Sequence, residues 1–237
     1  MFTDAEKVGK HWQVRNAWGH SLQLPRMDTY DGVCLEIGTL GTGAYNFKRK
    51  KGDPLKVEVI AQMLGSLRRP LYLVDTRRDG TGAQSSWSPR EFATQVATML
   101  SASTTYSFLH LPCMAPSIDL LSNKELPWQK FRDCYCEDLT EEALNVGQAF
   151  VEAAAVNNGL VVLLCAEAYR AGFATLAAEE QETCYCHRFS LAHRLAERLR
   201  ATYHGVVVKR VDLDIMEFLA CKQARQDYTP SLVRLTD

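Results

Sequence analysis

Leu160-Val161-Val162-Leu163-Leu164-Cys165 is the stretch that decides the fold. Six apolar residues in a row, without alternation, read as a strand buried on both faces, the pattern of a parallel sheet covered by helices on each side. Asn157-Asn158-Gly159 stands just before it and stops a helical run that begins at Asp138-Leu139-Thr140-Glu141 and carries Ala143, Val146, Phe150 and Val151 inward. Ala166-Glu167 follows the strand. About twenty residues on, Cys186-His187-Arg188 opens another helix, with Leu191, Leu195 and Leu199 on one face and Gly205 beyond its end.

The same alternation extends outward. Val33–Ile37 is a short apolar run ending in Gly38-Thr39, and Val57, Ile60, Ala61, Leu64 and Leu67 follow at helical spacing. Leu71–Val74 leads into Asp75-Thr76-Arg77-Arg78, then a polar Gly- and Ser-rich loop from Asp79 to Ser86. Ser88-Pro89-Arg90-Glu91 has the form of a helix start, with a capping serine, proline at the first helical position and glutamate at the third. Ser107–Leu111 is a further strand, and residues 113–130 read as a long loop. Val206-Val207-Val208 and Leu213–Ala224 supply the last strand and helix.

The expected fold is therefore α/β: a single domain with a mostly parallel, helix-flanked sheet of Rossmann- or flavodoxin-like type. Residues 1–31 form an N-terminal extension packed on the core, 32–224 the domain, with an insert at about 168–185, and 225–237 a tail. In such folds ligands bind beyond the carboxyl ends of the strands. The residues there are Gly38 and Thr39, then Asp75, Arg77 and Arg78, then His110, then Cys165 and Glu167, joined by Cys186, His187 and Arg188.

Composition narrows the function classes. The apolar fraction is 46%, the charged fraction 23% and the net charge −1, which argues against a globally basic nucleic-acid binder. No apolar run approaches the roughly 18 residues that span a bilayer. Met1 to Lys7 lacks an apolar leader core, so a cytoplasmic protein without membrane attachment is expected. The eight cysteines are then expected as thiols.

The strand ends carry a resemblance. In order they read Ile37-Gly38-Thr39, Val74-Asp75-Thr76-Arg77, Trp87-Ser88-Pro89-Arg90-Glu91-Phe92, His110-Leu111-Pro112, Cys165-Ala166-Glu167 and Cys186-His187-Arg188. Over about residues 33–210 the chain resembles the domain-of-unknown-function 488 (DUF488) family. Two features depart from that pattern. Cys113-Met114-Ala115 replaces Leu-Gly-Gly, and residues 168–185 lengthen a gap that is usually short. The resemblance implies the fold and a pocket more than a reaction.

Four chemistries compete for these residues. An anion pocket for a phosphate-bearing nucleotide or nucleic-acid-derived ligand uses Arg77, Arg78 and Arg188 as charge-assisted donors, with backbone N–H groups at Gly38, Thr39 and the helix start. Asp75 or Glu167 is then base or nucleophile in glycosidic or phosphoester chemistry, and His110 or His187 shuttles protons. Thiol catalysis points to Cys186 at a helix N-terminus. Cys165 lacks a phosphatase-type loop, since position 171 is alanine, the nearest arginine is Arg170, and the intervening Ala-Glu-Ala-Tyr has no glycines. A metal reading offers a divalent cation on Asp75 and Glu167. Zinc is the weaker form, because Cys134-x-Cys136 and Cys184-x-Cys186 are spaced more tightly than usual pairs. Nucleic-acid contact rests on Tyr45-Asn46-Phe47 beside Lys48-Arg49-Lys50-Lys51, with Trp87 as a stacking ring. The other class of function is a non-catalytic ligand-sensing or interaction component. Oligomeric state leaves no mark on the sequence.

Overall fold

A computed structural model describes residues 2–16, 21–27, 32–41, 54–77, 89–100, 105–123, 126–165 and 187–235. Strands β4 (Cys34–Gly41), β5 (Leu71–Asp75), β6 (Tyr106–His110), β7 (Leu160–Cys165), β8 (Val207–Leu213) and β9 (Ser231–Arg234) form one sheet, in the order β6-β5-β7-β4-β8-β9. All neighbours run parallel except β9, which is antiparallel to β8. The helices are α1 (Pro54–Ser66), α2 (Pro89–Met99), α3 (Ile118–Ser122), α4 (Trp128–Asp138), α5 (Glu141–Val156), α6 (His187–Thr202) and α7 (Ile215–Ala224).

The mixed α/β architecture with a mostly parallel sheet is as expected. The order is more particular. Counted along the sheet's own strands it is 3-2-4-1-5-6. Rossmann-like sheets run 3-2-1-4-5-6 and flavodoxin-like sheets 2-1-3-4-5. Here β7 enters between β5 and β4.

That insertion explains the apolar run. Val161 and Leu163 join the core cluster beneath α5 and α6, while Leu160, Val162 and Leu164 join the cluster beneath α1 and α2. With helices on both faces, all six β7 residues are buried. Helix α5 is itself apolar on nearly every side, because the central sheet lies on one flank and a second sheet on the other. Thr140 caps it by accepting from the Ala143 N–H, and Gly159 N–H closes its far end on Ala154 O at 2.7 Å.

The second sheet is the N-terminal region. β1 (Phe2–Val8), β2 (His11–Asn16) and β3 (Ser21–Pro25) make an antiparallel meander, and Gly9 (φ +58°) with Lys10 turns the first hairpin. Ala5, Trp12, Val14 and Leu24 face α5. The Trp12 indole donates to Glu152 at 2.7 Å. Gln148 Nε2 and Tyr203 OH donate to the same carboxylate at 2.8 and 2.6 Å. A fully buried Glu152 thus ties the meander to α5 and the end of α6.

Three readings are corrected. The supposed loop at 113–130 contains a 3₁₀ turn (Pro112–Met114), α3 and the start of α4, held by Phe131 and Tyr135 one turn apart. The C-terminal tail supplies β9, so it completes the sheet. The first strand does not end at Ile37 but runs on to Gly41. Among the described residues no helix is long and apolar enough to cross a membrane.

Candidate functional site

Strand register aligns the carboxyl ends. His110 pairs with Asp75, Asp75 with Leu164, Leu164 with Leu40, and Leu40 with Leu213, which makes one row across β6, β5, β7, β4 and β8. Cys165 and Asp214 lie one step beyond this row. Thr39 and Asp212 lie one step inside it, and Gly38 two steps inside.

The segment leaving β5 is the most constrained part of the rim. Asp75 is fully buried and Arg77 is 6% exposed. The carboxylate accepts from Arg77 N at 3.0 Å and from Arg77 Nε at 2.8 and 3.0 Å, and a fourth contact comes from Nη2. Between them, Thr76 N and Oγ1 both donate to Leu164 O, at 3.0 and 2.8 Å. Leu111 N donates to Asp75 O at 2.8 Å. Two histidines then grip the segment from outside: His110 Nε2 lies 2.6 Å from Arg77 O, and His187 Nε2 lies 2.8 Å from Thr76 Oγ1. His187 is the first residue of α6, and its ring meets the Tyr135 ring edge-on at 5.6 Å.

A second group surrounds the first turn of α6. Arg188, 1% exposed, donates from Nη1 to Cys165 Sγ at 2.6 Å. Its guanidinium lies over the Phe189 ring at 4.8 Å, and the Arg210 guanidinium lies over the same ring at 4.4 Å. Arg210 is paired through Nε and Nη2 with the two oxygens of Asp212, at 2.7 and 2.9 Å. The Thr39 hydroxyl donates to Asp212 Oδ1 at 2.9 Å across the β4–β8 pair.

The structure therefore brings together Asp75, Arg77, His110, His187 and Arg188. Gly38 and Thr39 are displaced from their expected place. Gly38 lies mid-strand, where an added Cβ would stand 3.0 Å from Val161 O, so it serves close strand packing rather than a phosphate turn. Thr39 is buried and engaged with Asp212. Asp75 and Arg77 engage each other in a buried ion pair. Arg78, Trp87, Glu167, Cys184, Cys186, the Tyr45–Lys51 stretch and the whole 168–185 insert lie outside the described residues.

Thr76, Tyr135, Arg210 and Asp212 were missed from the sequence. The signal for Thr76 was a hydroxyl between two residues already singled out. For Arg210 and Asp212 it was an i,i+2 charge pair on one face of a strand that begins Val206-Val207-Val208.

Burial pushes the Cys113 and Cys136 thiols up from their ordinary value, which favours the protonated form over a thiolate nucleophile or metal ligand. Among the described residues no three His, Cys, Asp or Glu side chains converge on a metal position. Comparison with protein-family models, curated proteins and solved structures finds no match.

Proposed function

We propose that this rim binds a phosphate-bearing ligand, a nucleotide or a nucleic-acid-derived molecule, and that the chain is a DUF488-like protein. The observation that supports this is the placing of two imidazoles, His110 and His187, on the segment leaving β5, with Arg188 next to His187 on the first turn of α6 and in contact with Cys165 at the end of the neighbouring β7. A helix N-terminus and planar guanidinium donors are both suited to phosphate oxygens. In this reading Arg188 is the anion-binding group. His110 and His187 move or hold protons in glycosidic or phosphoester hydrolysis, with Glu167 as the remaining carboxylate candidate. A divalent cation belongs to the same proposal as a companion of the phosphate. The described cysteines are all free thiols, which supports a cytoplasmic setting.

A second reading has its own support. Asp75–Arg77 is a buried ion pair and Asp212–Arg210 a part-buried one, which suits a non-catalytic component that senses a ligand or holds a partner.

The test is a binding panel of nucleotides, phosphosugars, short oligonucleotides and inorganic phosphate, with and without Mg²⁺. Thermal shift screens it, and histidine NMR signals report the site. A phosphate-bearing compound that stabilises the chain and moves the His110 and His187 signals is the expected result. No hit, or a hit that leaves both histidines unmoved, overturns the rim as the ligand site. Turnover of the hit decides between the two readings.

A further inference from the structure

Thr76 Oγ1 stands between two partners, Leu164 O at 2.8 Å and His187 Nε2 at 2.8 Å. A hydroxyl has one hydrogen, and a carbonyl oxygen has none to offer. The Thr76–Leu164 contact must therefore use the Thr76 hydrogen. Oγ1 then turns a lone pair towards His187, and Nε2 must supply the hydrogen of that bond. The rotor cannot swing away freely, because Leu164 O is held in the sheet and also accepts the Thr76 N–H at 3.0 Å. His110 obeys the same count. Its Nε2 faces Arg77 O at 2.6 Å, a pure acceptor, and so carries a hydrogen too.

We propose that Thr76 is a positioning residue that sets the tautomer of His187, so that both rim histidines hold hydrogen on Nε2 and have Nδ1 as their basic nitrogen. Tyr135 completes the setting. Its ring meets the imidazole at 72° and 5.6 Å, and its own hydroxyl is anchored on Met114 O at 2.6 Å, so the ring plane as well as the proton is specified. The catalytic meaning rests on the ligand reading above. A proton taken from a ligand hydroxyl goes to Nδ1, producing an imidazolium whose Nε2–H bond to Thr76 strengthens, and a proton given to a leaving oxygen departs from the same Nδ1. Which ring nitrogen of His187 takes or gives that proton is thereby set by Thr76.

The tautomer is measurable without any ligand. Two-bond ¹H–¹⁵N spectra of the full chain, recorded at a pH where the imidazoles are neutral, report which ring nitrogen carries hydrogen. His110→Gln and His187→Gln assign the signals among the six histidines. Both rim histidines are expected with protonated Nε2 and unprotonated Nδ1. Thr76→Ser keeps that pattern. Thr76→Val, of the same shape without the hydroxyl, shifts His187 towards a mixture of tautomers and leaves His110 unchanged. An unprotonated Nε2 on His187 in the native chain overturns the proposal, as does a Thr76→Val spectrum identical to the native one. Should Thr76→Val fail to fold, the native and Thr76→Ser spectra decide alone. A panel without ligands would remove the ligand reading yet leave this tautomer result standing, so the two failures are distinguishable.

Discussion

Asp75→Asn separates a structural carboxylate from a catalytic one. Asparagine keeps the shape, and its Oδ1 can still accept from Arg77 N and Nε. Its Nδ2 takes the place of Oδ2, however, and puts an amide donor against Arg77 Nε and Nη2. The guanidinium, 6% exposed, also loses this counter-charge. Breaking a buried ion pair from one side costs about 3–5 kcal/mol. For a chain of this size that corresponds to a fall of roughly 6–20 °C in Tm, at about 2–4 °C per kcal/mol. Urea denaturation followed by circular dichroism measures the loss, and Arg77→Met added to Asp75→Asn should restore part of it, with a coupling of about 2 kcal/mol. A variant that loses less than about 1 kcal/mol, the worth of an exposed pair, but loses ligand turnover would refute the reasoning. Asp75 would then be a reacting group and the Arg77 contact incidental.

Three further outcomes are expected. Glu152→Ala leaves the Trp12, Gln148 and Tyr203 donors facing a void, costs about 3–5 kcal/mol, and exposes β1–β3 amides to hydrogen exchange before those of the central sheet; uniform exchange across both sheets would count against Glu152 as the tie. Gly38→Ala forces a Cβ against Val161 O and Val162 Cγ2 and destabilises by about 1–3 kcal/mol with ligand affinity unchanged, whereas weakened binding on an intact fold would return Gly38 to the site. Asp214 is raised above the ordinary carboxyl value of 3.8, chiefly by burial, with Asp212 adding to the rise and the Met216 and Glu217 N–H bonds opposing it. The folded chain then holds that proton more tightly than the unfolded chain, so its contribution favours folding at pH below 3.8 and declines as pH rises through the folded value. Asp214→Asn keeps the N-cap and removes the decline; urea midpoints of variant and native chain that differ by the same amount at pH 3.5 and pH 7 would contradict this.

How much could be read in advance depended on whether a feature was local. β7 was legible because burial on both faces writes itself as six consecutive apolar residues. α5 was legible from Thr140 and the Asn157-Asn158-Gly159 stop. α4 was not, because among its described side chains the buried positions, Phe131 and Tyr135, stand among charged neighbours, too narrow a stripe to outweigh the polarity. β9 is four residues of shallow alternation whose place depends on β8 being there to pair with. The first strand was cut short at Gly38, since glycine usually punctuates a strand. Its true role, letting β4 pass close to β7, exists only once those strands are neighbours.

The site divides along the same line. Asp75-x-Arg77 and Arg210-x-Asp212 are both i,i+2 pairs of opposite charge, and Asp212 accepts in addition from the Thr39 hydroxyl of β4. Polar residues at strand ends draw the eye as ligand groups, yet this spacing is also the one at which two charges neutralise each other. His110, His187 and Arg188 also reach across the fold: His110 to Arg77, His187 to Thr76 and Arg188 to Cys165, residues 33, 111 and 23 positions away. The two imidazoles come to the β5 exit from different elements, His110 from β6 and His187 from the first turn of α6, so their meeting at Thr76 and Arg77 depends on the parallel pairing of β5 with β6 and on how α6 packs, neither of which is written in the local sequence.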